Sequence, residues 1–165
     1  MNNKIFMLIG NIASGKSTWC KQFKSTHLET IIINDDAVVE LIEGDEHGYS
    51  QKFKRLYKSI EDAILRTGIF LGVDIIVDRP HMSETSRKRV LGIASSLDIP
   101  VIAVMFKVEL PEIHAKRRFD NNSRGHDYDD WLKVAHKKNK EFVQPTLKEG
   151  FYEICNSPSE LLTNN

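Results

Sequence analysis

Residues 10–18 read Gly-Asn-Ile-Ala-Ser-Gly-Lys-Ser-Thr and follow directly on the apolar run Ile5–Ile9. Glycine, four residues, glycine, lysine and serine, set between a strand-like run and the helix-compatible Trp19–Lys24, constrain the backbone more than any other stretch of the chain. Gly10 and Gly15 permit a tight path in which N–H groups turn inward, where they and a helix N-terminus hold phosphate oxygens. Gly10, Asn11, Ile12, Ala13, Ser14, Gly15, Lys16, Ser17 and Thr18 are therefore the expected phosphate-binding residues. The competing reading, a plain helix start, does not account for the strand-to-helix context.

In such a loop Lys16 is expected to reach the β- and γ-phosphates of ATP and act catalytically, while the Ser17 hydroxyl ligates a Mg²⁺ ion that bridges them. Thr18 is expected to pack or cap.

Four further apolar runs, Thr30–Ile33, Val73–Val77, Val101–Val108 and Phe151–Ile154, read as strands. Most are apolar throughout, as in a parallel sheet covered on both faces. The last, with Glu153, suits an edge. Helical spacing joins Phe53, Leu56, Tyr57, Ile60, Ala63, Ile64, Thr67 and Leu71 into one amphipathic stripe. Further helices are expected from near Ser83, from Pro111 and around Trp131–Phe142. Strands alternating with helices predict a doubly wound α/β domain, with ligands where strand ends meet helix starts. Residues 121–130, polar and glycine-containing, read as a mobile surface loop.

The 165 residues predict a single domain over 1–165, and 41% hydrophobic with 28% charged residues is the composition of a globular protein. Lys plus Arg and Asp plus Glu both number 23, so no overall field draws the chain to nucleic acid and any such contact must be local. Cys20 and Cys155 form no ligand-spaced cluster with the histidines; a reducing cytosol fits, and a cytoplasmic protein is expected. No stretch approaches the roughly 18 apolar residues of a membrane span.

Two strand ends deliver carboxylates. Thr30–Ile33 runs into Asn34-Asp35-Asp36, and Val73–Val77 into Asp78-Arg79-Pro80-His81. Asp35 is the candidate base for an acceptor hydroxyl, with Asp36 left to cap the helix that Ala37–Leu41 can form. Asp78 suits contact with the metal through water, or with the acceptor; turn formation before Pro80 is its other reading. Arg79 and His81 are candidates to line the acceptor site, or are turn residues, and the histidines otherwise read as surface residues.

Cations follow Pro111. Arg124 is the candidate lid residue, since a loop arginine can bind phosphate bidentately and exclude water on closing. The lid is expected over about residues 119–130. Arg118 or Arg117 can pack beside the adenine or reach the phosphates, or simply favour a helix C-terminus. Lys137, Lys138 and Lys140 read as a solvated face or a nucleic-acid contact.

On Gly15-Lys16-Ser17-Thr18-Trp19, Asn34-Asp35-Asp36, Asp78 and Ser123-Arg124-Gly125, the chain resembles P-loop kinases of the polynucleotide-kinase group, particularly the 5′-kinase domain of bacteriophage RNA-repair enzymes. The resemblance implies a five-stranded parallel sheet with helices on both faces, γ-phosphate transfer from ATP to a 5′-hydroxyl, Asp35 as base and Arg124 as lid arginine. It also implies separate phosphatase or ligase partners. The family places arginines before the paired acids and three residues after the first, where this sequence has Asn34 and Val38. Either Arg79 substitutes, or the acceptor is a small metabolite, nucleoside or nucleotide sugar. A third reading is a regulatory or toxin-like module that binds ATP as a conformational signal.

Overall fold

The computed structural model describes residues 3–44, 49–122 and 124–163. Their elements are β1 (Ile5–Ile9), α1 (Lys16–Thr26), β2 (Ile31–Asn34), α2 (Asp35–Glu43), a 3₁₀ turn (Gln51–Phe53), α3 (Lys54–Phe70), β3 (Ile75–Asp78) and α4 (Glu84–Ser96). There follow β4 (Val101–Met105), α5 (Pro111–Asn122), α6 (Tyr128–Glu141), a second 3₁₀ turn (Leu147–Glu149), β5 (Glu153–Cys155) and α7 (Glu160–Thr163). The strands form one sheet in the order β2-β3-β1-β4-β5, and every pairing is parallel.

Alternation along β1 divides the core. Ile5, Met7 and Ile9 face one side with Leu65 and Ile69 of α3 and Val90, Leu91 and Ala94 of α4. Phe6 and Leu8 face the other, with Trp19, Cys20 and Phe23 of α1, against which Leu161 and Leu162 of α7 pack. Burial on both faces explains why these strands read as continuous apolar runs. β1 matches its expected bounds, whereas β2 and β3 start one and two residues later and each takes in the polar residue that ends it.

α3 is rotated from the stripe expected of it. Its buried residues are Tyr57, Glu61, Leu65, Gly68 and Ile69, while Leu56, Ile64 and Leu71 are exposed. The cause is close approach: a Cβ on Gly68 would stand 2.6 Å from Ile31 Cδ1 and 3.0 Å from Ile75 Cδ1, so the glycine side rests on the sheet. The stretch read as a loop over 121–130 is helical at both ends, while 124–127 lie between the helices. Residues 121–122 end α5 and 128–130 begin α6, with the Asp127 carboxylate accepting from Asp130 N at 2.8 Å as its N-cap. Ser123 lies outside the described residues.

α4 starts where expected, Ser83 forming a reciprocal cap with Ser86. One turn on, the fully buried Arg87 donates from Nε and Nη2 to Glu149 at 2.7 and 3.0 Å, and from Nη1 to the carbonyls of His81, Met82 and Val143. This guanidinium ties the exits of β3 and α6 to α4. Arg87→Ala removes the buried ion pair to Glu149 and a donor from three carbonyls, and is expected to cost about 3–5 kcal/mol, read as a lowered urea midpoint with unchanged slope.

Candidate active site

The loop after β1 is shaped by two glycines with different duties. Gly10 has no room for a side chain, since a Cβ would lie 2.7 Å from both Phe106 Cβ and Ser14 Oγ. Gly15 needs its freedom for φ +98°, the left-handed conformation that turns the chain into α1. Ala13 also has positive φ, at +47°. Asn11 is fully buried: its Nδ2 donates to Ala135 O and Asn139 Oδ1, and its Oδ1 accepts from Ile12 N. The loop is thus pinned to α6.

Lys16 is buried and donates from Nζ to Gly10 O at 2.9 Å, Asn11 O at 2.6 Å and Ser14 Oγ at 3.3 Å. Burial pushes its ammonium down to about 8, with Asp78 opposing the shift. The Ser17 hydroxyl donates to Asp78 Oδ2 at 3.0 Å. Thr18 is exposed on the first turn of α1.

Asp78 is where the ends of β2 and β3 meet the first turn of α1. β2 and β3 are registered so that Asn34 pairs with Asp78, and Asn34 Nδ2 donates to the same Oδ2 at 3.0 Å. The Cys20 thiol also hydrogen-bonds this carboxylate, and burial together with that charge pushes the thiol up to about 12. A serine hydroxyl beside a carboxylate is a hard oxygen donor set of the kind that suits Mg²⁺, directly or through water. Asn34 also caps α2, accepting from Asp36 N and Ala37 N. The cap expected of Asp36 belongs to Asn34, because Asp36 already lies in the helix.

Asp35 opens α2 beside Arg79. Arg79 Nη2 meets Asp35 Oδ2 at 2.6 Å and its Nη1 meets Glu61 Oε2 at 2.8 Å, so one guanidinium bridges two carboxylates. Asp35 and Glu61 share a hydrogen bond; burial, that bond and the adjoining negative charge hold Asp35 up at about 7, with Arg79 opposing. Glu61 is held the other way, below the usual carboxylate range against its burial, by its contact with Asp35 and the charges of Arg79 and Arg89. Glu61 was not singled out in the sequence. Its signal was present, because it falls between Tyr57 and Leu65 at four-residue spacing on a face that otherwise goes inward.

Val38 is buried in the core, so the position three residues after Asp35 turns away from the site. His81 and His114 are buried, contrary to their reading as surface residues. His81 Nδ1 contacts Leu8 O at 3.1 Å, and burial pushes its pKa down to about 3, so it is a neutral structural residue.

Two arginines of the α5–α6 hairpin approach the same edge. Arg124, with φ +51°, donates from Nη2 to Asp36 Oδ2 at 2.9 Å. Arg118 stacks its guanidinium 4.8 Å from the Trp131 ring centroid, and its Nε is buried with no hydrogen bond. Burial, then the nearby Arg124, lowers its pKa, and its charge in turn acts on Lys16. Arg117 turns elsewhere, to Glu109.

A family described as an AAA domain matches residues 5–129, and the chain belongs to it. Among solved structures, the chain is similar to one in the Pnkp1/Rnl/Hen1 complex, with 21% identity over 70% of this chain and 38% of that one, TM-score 0.62. It is similar to a fungal RNA kinase, with 14% identity over 93% of this chain and 38% of that one, TM-score 0.67. It is also similar to the adenylylsulfate (APS) kinase CysC of Mycobacterium tuberculosis in complex with AMPPNP and APS, with 13% identity, 98% and 94% coverage and TM-score 0.61. No curated protein matches the sequence. The fold is that of P-loop kinases, with a nucleotide-binding P-loop. The chain spans well under half of the chain it matches in the RNA-repair complex. No helix among the described residues is long and apolar enough to cross a membrane.

Asn34 carries two duties, so its loss is expected to be felt twice. Asn34→Ala should lower stability by about 1 kcal/mol through the lost cap, seen in urea unfolding, and free Asp78 from one of its two oxygen-bound donors.

Proposed function

We propose that this protein is an ATP-dependent kinase that transfers the γ-phosphate to a hydroxyl, in the first instance the 5′-hydroxyl of a polynucleotide. The observation that carries the reading is the convergence, at one sheet edge, of a phosphate loop with two separately held carboxylates. Lys16 and Ser17 follow β1, Asp78 ends β3 and Asp35 follows β2.

The loop N–H groups and Lys16 would bind the triphosphate, Lys16 leaving its own loop carbonyls to do so. Ser17 and Asp78 would hold Mg²⁺, which would supply positive charge to offset that of the phosphates. Asp35 would accept the acceptor hydroxyl's proton as that oxygen bonds to phosphorus. Arg79 holds Asp35 in place and is suited to an acceptor phosphate, a duty that buried Val38 cannot perform. Arg118 and Arg124, on a hairpin read as the lid over about 119–130, would stabilise the transferring group.

The second reading is a small-molecule hydroxyl kinase, favoured by the near full-length likeness to the APS kinase on both chains. Labelled ATP offered with 5′-hydroxyl DNA, 5′-hydroxyl RNA and a metabolite panel separates the two. Label on the oligonucleotides is expected; label on a metabolite alone would replace the first reading with the second.

Asp35 must be ionised to act as base, and its pKa is raised to about 7. Activity is therefore expected to rise with pH through about 7, since the carboxyl is protonated below it. Glu61→Gln removes a negative charge that raises this pKa, so the acid limb of kcat/KM should move to lower pH. An unmoved limb would separate it from Asp35.

A further inference from the structure

α3 begins with a run of exposed cations. Lys52, Lys54, Arg55 and Lys58 are all exposed, and among the described residues none of these four side chains forms an ion pair. Lys52 stands instead 5.1 Å from the centroid of the Phe53 ring. The first turn of α3 holds no acid and Phe53 supplies no side-chain cap, although a helix N-terminus favours negative charge. Four cations there repel one another and the helix dipole, and a polyanion relieves both.

Elsewhere on the surface several lysines are paired, although Lys21, Lys137, Lys140 and Lys148 are exposed too. Lys88 meets Glu84, Lys116 meets Asp120 and Lys133 meets Asp130. In the α6 group read as a possible nucleic-acid contact, Lys138 meets Glu141. The start of α3 differs in gathering four exposed cations within residues 52–58, none of them ion-paired among the described residues.

Its direction matters as much as its charge. Lys54 precedes Glu61 by two turns and shares its side of the helix, about 10 Å away along the axis; Lys58 lies one turn away. Glu61 touches Arg79, which touches Asp35, so the cations lead outward from the acceptor-side carboxylates. Beside them Tyr49 is 52% exposed, its ring 5.2 Å from that of Tyr57. Tyr57 is fixed in turn by bonds to Glu43 and Ser50 N. An exposed aromatic ring beside a basic track is the combination that holds single strands, through stacking and phosphate contact.

We propose that the first two turns of α3, with Tyr49 beside them, dock the sugar–phosphate backbone of a single-stranded polynucleotide whose 5′ end lies at Asp35. This rests on the kinase reading above and extends it from the reacting nucleotide to those that follow. A small metabolite ends at the carboxylates and has no use for cations about 10 Å further out. The zero net charge of the chain does not oppose the proposal, because the contact is local.

The test is the double variant Lys54→Ala/Lys58→Ala, whose side chains are exposed and outside the phosphate site. Binding of a fluorescein-labelled single-stranded oligonucleotide of about 12 nucleotides is followed by anisotropy across a salt series. The variant is expected to bind at least about tenfold more weakly at low salt, with a log–log salt slope shallower by about 1.4 for two lost phosphate contacts. In turnover, KM for the oligonucleotide should rise while kcat and KM for ATP stay unchanged. Wild-type affinity and slope in the variant would overturn the proposal, as would no binding by the wild type. Binding through this face without phosphorylation upholds the surface and removes the kinase reading; phosphorylation indifferent to the variant does the reverse.

Discussion

One carboxylate oxygen, Asp78 Oδ2, accepts hydrogen bonds from both Ser17 and Asn34. Through it the phosphate loop, the end of β2 and the end of β3 become a single polar cluster above an apolar sheet. The β2–β3 register sets Asn34 against Asp78, and the same residue caps α2, which fixes where Asp35 and Asp36 begin. A one-residue slip between these strands would turn both polar ends to opposite faces. Apolar burial makes the sheet; this register makes the site.

A second arrangement lies beyond the first. Arg79 is held between Asp35 and Glu61, while Arg89 holds Glu61 and Asp62. The alternating charges keep Asp35 in place, and the buried Glu61 keeps its pKa high. Asp36, one residue on, faces the other way, to Arg124 on the α5–α6 hairpin. The first turn of α2 therefore touches the acceptor-side arginine with one acid and the hairpin with the next. The hairpin is attached at its other end through Asn139, which accepts from Asn11 and donates to Glu109 O. Loop, carboxylates and hairpin arginines are one connected structure.

Much of this was legible in residue order. The Gly10–Thr18 pattern, five apolar runs and the helix starts at Ser83 and Pro111 carry local information, and local information determines strands, caps and tight turns. What was not legible depends on contacts distant in sequence. Glu61 was passed over because a carboxylate on a helix ordinarily faces water, and only the two arginines from the β3–α4 segment make its burial tolerable. Arg87 was hidden for the same reason, its partner Glu149 lying 62 residues away. Asn34 was noted as a departure from a family pattern, whereas its cap and its bond to Asp78 depend on strand pairing. The stretch over 121–130 has the composition of a loop, but its two ends belong to helices and Asp127 caps the second of them.

The central claim is that Asp35 acts on the acceptor hydroxyl rather than building the site. Asp35→Asn should therefore separate binding from chemistry most directly. With ATP and a 5′-hydroxyl oligonucleotide measured by equilibrium titration and by single-turnover transfer, both Kd values are expected to stay near those of the unaltered protein. The transfer rate should fall by about 10²–10⁴. Unchanged transfer with unchanged binding would contradict the assignment of Asp35 as base and, with it, the account of this edge as a phosphotransfer site.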